Sequence, residues 1–185
     1  NHWAVARPSY PNYLALTAGQ TFGIGGIFGD RQRNLNAKNI IDLLEEKGKT
    51  WKVYAEGYPG PIFETDKQPQ CFLKSSQDNY VRKHLPFLSY RNIQTSPNRC
   101  LRIVNGNQFA KDVYNNDLAE YSFYVPDMIH DGHDSNLEVA AEWFQMTFGR
   151  WLVDPRFNED LLLIITFDEG HLLSNNHIYT VFWGD

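Results

Sequence analysis

Two neighbouring carboxylates, Asp168 and Glu169, directly follow the most apolar segment of the chain, residues 161–167. Adjacent acids at the end of a buried strand repel each other unless a cation or a proton compensates their charge. Carboxylate oxygens are hard ligands of the kind that divalent metal ions prefer. The sequence therefore points to a metal site at these two residues, and it leaves a solvated turn open as the alternative.

A second group of reactive side chains occupies residues 131–134, which read Asp-Gly-His-Asp. An imidazole such as that of His133 can ligate a metal, hold an anionic oxygen or protonate a leaving group. An acid just before a helix is also a common cap, so a helix-capping loop remains an equal alternative for this segment. In an extended loop His130 would point away from His133, and we favour His133 for chemistry.

Ser9 lies immediately before a predicted helix. The backbone N–H groups and the dipole at a helix start stabilise an anion, including a deprotonated serine. Asn12 would sit one turn into the helix, where its amide is able to donate to a developing negative charge. An N-cap serine with no role in chemistry is the competing interpretation.

The elements that position these residues follow from apolar spacing and from turn residues. A turn leading into a helix is predicted over residues 9–17. Further helices are predicted over residues 36–47, 78–84, 107–115 and 135–152, the last with Asp134 or Ser135 as its cap. Strands are predicted over residues 51–55, 121–125, 161–167 and 178–183. Their alternation indicates an α/β fold with a doubly wound, mostly parallel sheet and helices on both faces, in which residues 161–167 form a central strand.

Acidic side chains follow three of the predicted strands: Glu56, Asp127 and Asp168. The carboxyl ends of parallel strands meet at one edge of a sheet, where ligands bind in such folds. The sequence therefore predicts a site at this edge.

Length and composition narrow the class of protein. The 185 residues suit one domain, and 42% hydrophobic content excludes disorder. The formal net charge is −5 with no basic block, so nucleic acid is not an expected partner. No apolar run reaches the roughly 18–20 residues that span a bilayer. Residues 61–97 are irregular and punctuated by proline, which predicts an insertion over an active site.

The chain has two cysteines, Cys71 and Cys100, in loop-like surroundings. A disulfide between them would indicate an oxidising compartment, and two unpaired thiols are the alternative.

Four segments in order resemble the phosphoesterase family: residues 9–19, 124–128, 131–134 and 166–170. That family holds secreted fungal acid phosphatases and bacterial phospholipase-C-type enzymes, and it is related to the alkaline phosphatase superfamily. The resemblance extends over nearly the whole chain. It implies an alkaline phosphatase-like core in which residues 1–185 form a single, partial phosphoesterase domain.

The resemblance also implies roles at the phosphate. Ser9 would be the nucleophile that forms a phosphoserine intermediate, and Asn12 would bind a phosphoryl oxygen. Asp168 and Glu169, together with Ser9, would hold a divalent metal ion of unspecified identity.

Further roles follow for the substrate and the leaving group. His133 would contact the phosphate or protonate the leaving group, and Asp134 would orient it. Arg7 stands where many members have histidine, and it would pair with the phosphate.

Two departures from the family pattern accompany these roles. Members usually carry a Glu-Asn pair upstream of the serine motif and a further C-terminal portion, so the chain is expected to be truncated at both ends. The implied activity is that of an acid phosphatase-type phosphomonoesterase, secreted or extracellular (cell wall or periplasm), acting on small-molecule or lipid phosphate esters. The alternatives are a phospholipase C or other phosphodiesterase, and an inactive fragment that serves as a binding module.

Overall fold

The computed structural model describes residues 1–171 and 173–184, apart from the side chain of Arg156. The helices, numbered in chain order, are α1 Ser9–Ala18, α2 Ile40–Glu46, α3 Arg91–Gln94, α4 Pro97–Cys100, α5 Gln108–Tyr114, α6 Leu137–Leu152 and α7 Pro155–Asn158. The strands are β1 His2–Trp3, β2 Trp51–Ala55, β3 Ser76–Gln77, β4 Tyr80–Val81, β5 Ile103–Asn105, β6 Tyr121–Val125, β7 Leu163–Thr166, β8 His177–Ile178 and β9 Thr180–Trp183. The chain divides into two compact units, Asn1–Arg31 with Glu142–Asp185, and Gln32–Ala141.

The second unit is built on a parallel sheet with the strand order β5-β2-β6. Ala55 at the end of β2 pairs with Asn105 of β5 and with Val125 of β6. The central strand is covered on both faces, since Trp51, Val53 and Tyr54 are all buried. The predicted α/β class is confirmed, as are the bounds of β2 and β6, whereas the sequence analysis missed β5.

Helix α2 begins at a capping box, in which Asn39 Oδ1 accepts from Ile41 N at 3.0 Å and Asp42 Oδ2 accepts from Asn39 N at 2.9 Å. The helix was predicted from residue 36 and starts at Ile40, because the two reciprocal bonds fix Asn39 as its cap. Helix α5 falls inside its predicted range.

The predicted helix over residues 78–84 is wrong. The segment contains the hairpin strand β4, which pairs antiparallel with β3, followed by a 3₁₀ turn over Arg82–His84. Asp78 between the two strands has a left-handed backbone with a φ of 49°, which suits a tight hairpin rather than a helix. The predicted disulfide between Cys71 and Cys100 is present, and it links the segments that precede and follow this hairpin.

The first unit packs α1 and most of α6 with buried aromatic side chains. Tyr10 and Leu14 of α1 are fully buried, and Trp143, Phe148 and Trp151 of α6 are buried as well. The cap of α6 is neither Asp134 nor Ser135, because Asn136 Oδ1 accepts from Val139 N at 3.0 Å. Ser135 Oγ instead donates to the carbonyl oxygen of Ile129.

The prediction of a central parallel strand over residues 161–167 is wrong. In the described part of the chain, β7 pairs with β9 in an antiparallel ribbon. Its side chains alternate in exposure, and Ile164 is 52% exposed. A uniformly apolar sequence indicates that a strand is buried, but it does not specify whether the neighbouring strand is parallel or antiparallel. The prediction of a parallel neighbour for residues 161–167 therefore had no support in the apolar pattern itself.

Among the described residues, no helix combines the length and the apolar character that crossing a membrane requires.

Candidate active site

Ser9 is the first residue of α1 rather than its cap. Pro8 holds the N-cap position, and no side chain caps the helix there. The interpretation of Ser9 as an N-cap serine is therefore wrong. Its hydroxyl is directed elsewhere, and only 4% of the residue is exposed.

The hydroxyl of Ser9 donates to the carboxylate of Glu169, with 3.1 Å between Oγ and Oε1. Arg7 lies beside the same carboxylate, with 3.7 Å between Nη1 and Oε2. Nη2 of Arg7 also donates to the carbonyl oxygen of His171 at 2.8 Å. A serine at a helix start, an acid and a guanidinium are thus gathered within the first unit.

The pKa of Glu169 is raised above its ordinary value. Burial is the main cause, and the neighbouring Asp168 carboxylate adds to it, with a smaller contribution from Asp30. The hydrogen bond from Ser9 and the charge of Arg7 act in the opposite direction without cancelling the effect. The carboxylate therefore has a higher proton affinity than a solvated glutamate.

The acidic turn offers hard oxygen ligands to a cation. Asp168 Oδ1 accepts from the backbone N–H of Glu169 at 2.8 Å, which fixes the first acid relative to the second. A bound cation would relieve the repulsion between two neighbouring carboxylates. That Asp168, Glu169 and Ser9 together hold a divalent metal stays a prediction.

Asn12 makes its hydrogen bonds to the backbone that leads into α1. Its Oδ1 accepts from Val5 N at 3.1 Å and from Ala6 N at 2.9 Å. Its Nδ2 donates to the carbonyl oxygens of Ala6 at 2.9 Å and Pro8 at 3.3 Å. Asn12 thus shapes the turn before Ser9, and its predicted contact with a phosphoryl oxygen stays a prediction.

A second group of ligand-type side chains lies in the other unit, at the carboxyl ends of β2 and β6. Nδ1 of His130 is 2.8 Å from Glu56 Oε2 and 3.2 Å from Asp127 Oδ1. One ligand atom from each of the three residues lies within 4.8 Å of the others, close enough to share a metal ion. The predicted gathering of acids at a sheet edge is confirmed for Glu56 and Asp127.

Sequence reasoning passed over this group because it placed His130 in an extended loop. The backbone N–H groups of Ile129 and His130 both donate to Asp127 Oδ1 at 3.0 Å, so the loop turns back on itself and brings the imidazole to the acids. An acid two residues after a strand, followed three residues later by histidine, is the signal that would have found it.

His133 pairs with Asp134 at 2.7 Å between Nδ1 and Oδ1, and about half of each side chain is exposed. The backbone N–H of His133 donates to Asp131 Oδ1 at 2.8 Å. The other oxygen of Asp131 lies 3.1 Å from Nδ1 of His84, which is buried. His84 thus anchors the loop that carries His133, a contact that the sequence analysis did not predict.

The predicted site residues therefore fall in both units. Arg7, Ser9, Asn12, Asp168 and Glu169 belong to the first, and His133 and Asp134 belong to the second.

Comparison with known proteins adds a family match. A model of the Phosphoesterase family matches residues 1–172. Over its whole length the chain is 33% identical to a probable acid phosphatase of Kluyveromyces lactis and 34% identical to an acid phosphatase of Aspergillus fumigatus, and it covers 43% and 41% of these relatives. Over 98% of its length it is 30% identical to a phosphatidylinositol-3-phosphatase of Mycobacterium tuberculosis, of which it covers 56%. The chain thus spans about two fifths to just over half of the length of these relatives.

Proposed function

Because the chain belongs to the phosphoesterase family, we propose that it supplies the attacking hydroxyl of a phosphate-ester hydrolase. The observation that carries this proposal is the 3.1 Å hydrogen bond from Ser9 Oγ to Glu169 Oε1. The names of the relatives, all of them phosphatases, support a phosphate ester as the substrate.

In the proposed reaction Ser9 Oγ attacks the phosphorus atom of the ester. The Oγ–P bond forms while the bond from phosphorus to the alcohol oxygen breaks, and the proton of Ser9 passes to Glu169, its hydrogen-bond acceptor. A water molecule then cleaves the phosphoserine, which releases phosphate and restores Ser9.

Asp168, Glu169 and Ser9 would hold the divalent metal. When bound, the metal supplies positive charge that offsets the charge of the phosphate. The N-terminus of α1 adds the partial positive charge of its backbone N–H groups at Ser9.

Three further residues act on the substrate in this proposal. The family resemblance implies that His133, which lies 2.7 Å from Asp134, contacts the phosphate or protonates the leaving alcohol. Arg7 binds a phosphoryl oxygen, and Asn12 could do so only by giving up one of its donor bonds to Ala6 and Pro8. These roles come from the family resemblance and await mutation.

The substrate is a phosphomonoester in this proposal, either a small molecule or a lipid. The relative named for a phosphatidylinositol phosphate favours testing a lipid headgroup beside simple esters. The Cys71–Cys100 disulfide supports a secreted or extracellular location, because such bonds persist in oxidising compartments.

Replacement of the nucleophile tests the proposal. We expect Ser9→Ala to reduce turnover of p-nitrophenyl phosphate by on the order of a thousandfold or more, because it removes the hydroxyl that forms the proposed covalent intermediate. Ser122→Ala, at an exposed serine of β6, is the matched control and should keep full activity. Mass spectrometry of acid-quenched protein should find phosphate on the Ser9 peptide.

Substantial activity in Ser9→Ala would remove Ser9 from this role. Faster cleavage of bis-p-nitrophenyl phosphate than of the monoester would indicate a phosphodiesterase instead. An inert wild-type protein with divalent metal supplied would favour a binding module.

Metal removal separates the two groups of ligand-type side chains. We expect dialysis against a chelator to abolish turnover and added divalent metal to restore it. Asp168→Asn should raise the metal concentration required for half-maximal activity, because it removes a charged ligand. Glu56→Gln should leave that concentration unchanged. The reverse order would assign the catalytic metal to the group of Glu56, Asp127 and His130.

A further inference from the structure

Gly170, which directly follows the two acids, is held at both of its backbone polar groups. Its N–H donates to Oδ1 of Asn176 at 3.0 Å, and its carbonyl oxygen accepts from the guanidinium of Arg7. A Cβ atom at this position would lie 2.7 Å from Ser174 Oγ and 2.8 Å from the carbonyl oxygen of His177. The close approach of residues 174–177 therefore requires glycine here, and it restrains the turn that carries Glu169.

Asn176 connects this turn to the segment that leads to Ser9. Its Nδ2 donates to the carbonyl oxygens of Ala6 at 2.9 Å and Ala4 at 3.2 Å. The backbone N–H of Ala4 donates in return to the carbonyl oxygen of Asn176 at 3.0 Å. One asparagine side chain thus bonds the segment before the nucleophile and the turn after the acids.

The same segment is held from its other side by α1. Asn12 accepts from the N–H of Ala6, while Asn176 and Asn12 both donate to the carbonyl oxygen of Ala6. Because Asn12 lies in the helix that Ser9 begins, this chain of bonds runs from Ser9 through Ala6 and Asn176 to the acidic turn.

The backbone of Asn176 is also specialised. Its φ of 66° lies in the left-handed region, which most side chains avoid and asparagine tolerates. Asparagine therefore satisfies both a backbone and a side-chain requirement at this position.

We infer that Asn176 is a positioning residue that fixes the distance between the Ser9 hydroxyl and the Glu169 carboxylate. The inference rests on the proposed function, which gives those two groups their roles. Asn176 acts through its hydrogen bonds to Gly170 on one side and to Ala6 on the other. Loss of the side chain removes the bonds to Gly170, Ala4 and Ala6, and small misplacements of reacting groups reduce turnover steeply.

Two variants separate positioning from support of the fold. Asn176→Gly removes the side chain and keeps a residue that accepts the left-handed backbone. Asn176→Asp keeps the acceptor for the N–H of Gly170 but turns a carboxylate oxygen toward two carbonyl oxygens. Asn175→Gly, at the exposed neighbouring asparagine, is the matched control.

We expect both Asn176 variants to lower kcat by about tenfold to a hundredfold while KM for p-nitrophenyl phosphate stays nearly constant. Hydrogen exchange measured by mass spectrometry should quicken at residue 170 in Asn176→Gly. The control should match wild type in both measurements.

Three outcomes would overturn the inference: unchanged kcat in Asn176→Gly, unchanged exchange at residue 170, or activity that falls only in step with the folded fraction. An inert wild-type protein overturns the proposed function instead. The exchange data would then decide whether Asn176 holds the turn.

Discussion

At the scale of single residues, Asn12 and Asn176 hold the backbone that positions the proposed reacting groups. Both use the two ends of a carboxamide, one accepting and one donating, to hold backbone groups near Ser9 and Glu169. A carboxamide is the side chain that offers both functions on one short stem. The geometry around the proposed nucleophile thus depends on neutral residues as much as on charged ones.

Asn12 provides a stability test of this interpretation. We expect Asn12→Ala to lower the free energy of unfolding by about 1–3 kcal/mol, because partly buried backbone groups of Val5, Ala6 and Pro8 lose a hydrogen-bond partner. Urea denaturation followed by circular dichroism measures the change. Asn36→Ala, at an exposed asparagine, is the control, and equal effects in the two variants would contradict the expectation.

Sequence reasoning identified Ser9, Asp168 and Glu169 as candidates from residue types and position. It did not foresee the hydrogen bond between Ser9 and Glu169, because the two are separated by 160 residues and no local period encodes such a contact. Asn176 was not identified either, since an asparagine in a polar loop, here beside Asn175, carries no periodic signal.

At the scale of elements, prediction succeeded where side chains repeat with a clear period. The bounds of β2 and β6 match, and α5 lies within its predicted range. It failed for β7, whose uniform apolar sequence does not specify a parallel or antiparallel neighbour, and for the hairpin of β3 and β4, whose strands are too short for alternation to register.

Helix α2 illustrates how one acid can stabilise an element. Burial raises the pKa of Asp42, but hydrogen bonds from the N–H of Asn39 and from Arg99 and Asn92 outweigh it and lower the pKa below its ordinary value of 3.8. A depressed pKa contributes stability that is present above the unfolded-state value and lost as the pH falls through the folded-state value.

We therefore expect Asp42→Asn to be less stable than wild type at pH 7. The difference should shrink as the pH falls below the ordinary pKa of 3.8, because Asp42 of the unfolded chain then takes up a proton at a pH where the native carboxylate is still ionised. Thermal denaturation across this pH range measures it. Glu46→Gln, in the exposed pair with Lys38, serves as the control, and a difference that stays constant with pH would contradict the argument.

At the scale of the whole molecule, the chain folds as two compact units, and the first is assembled from both ends of the sequence. Ser9 and Glu169 meet because residues 1–31 and 142–185 share that unit. The prediction of one domain over residues 1–185 stays a prediction, as does the role of residues 61–97 over an active site. The long-range pairing of β1 with β8 had no local signal.

The disulfide is the covalent contribution to stability in the second unit. We expect reduction to lower the free energy of unfolding by about 3–4 kcal/mol, because the bridge joins residues 29 apart in sequence. Urea denaturation with and without dithiothreitol measures this loss. The double variant Cys71→Ser with Cys100→Ser is the control, and any response of that variant to the reductant would point to another cause.

This cross-link also bears on how the protein is best produced. A bacterial cytosol keeps thiols reduced, so protein expressed there would have both cysteines as free thiols. Protein prepared in this way would refold poorly, and its low activity could be wrongly attributed to the catalytic residues. Periplasmic or yeast secretory expression, checked by a thiol count, removes that source of error before any assay begins.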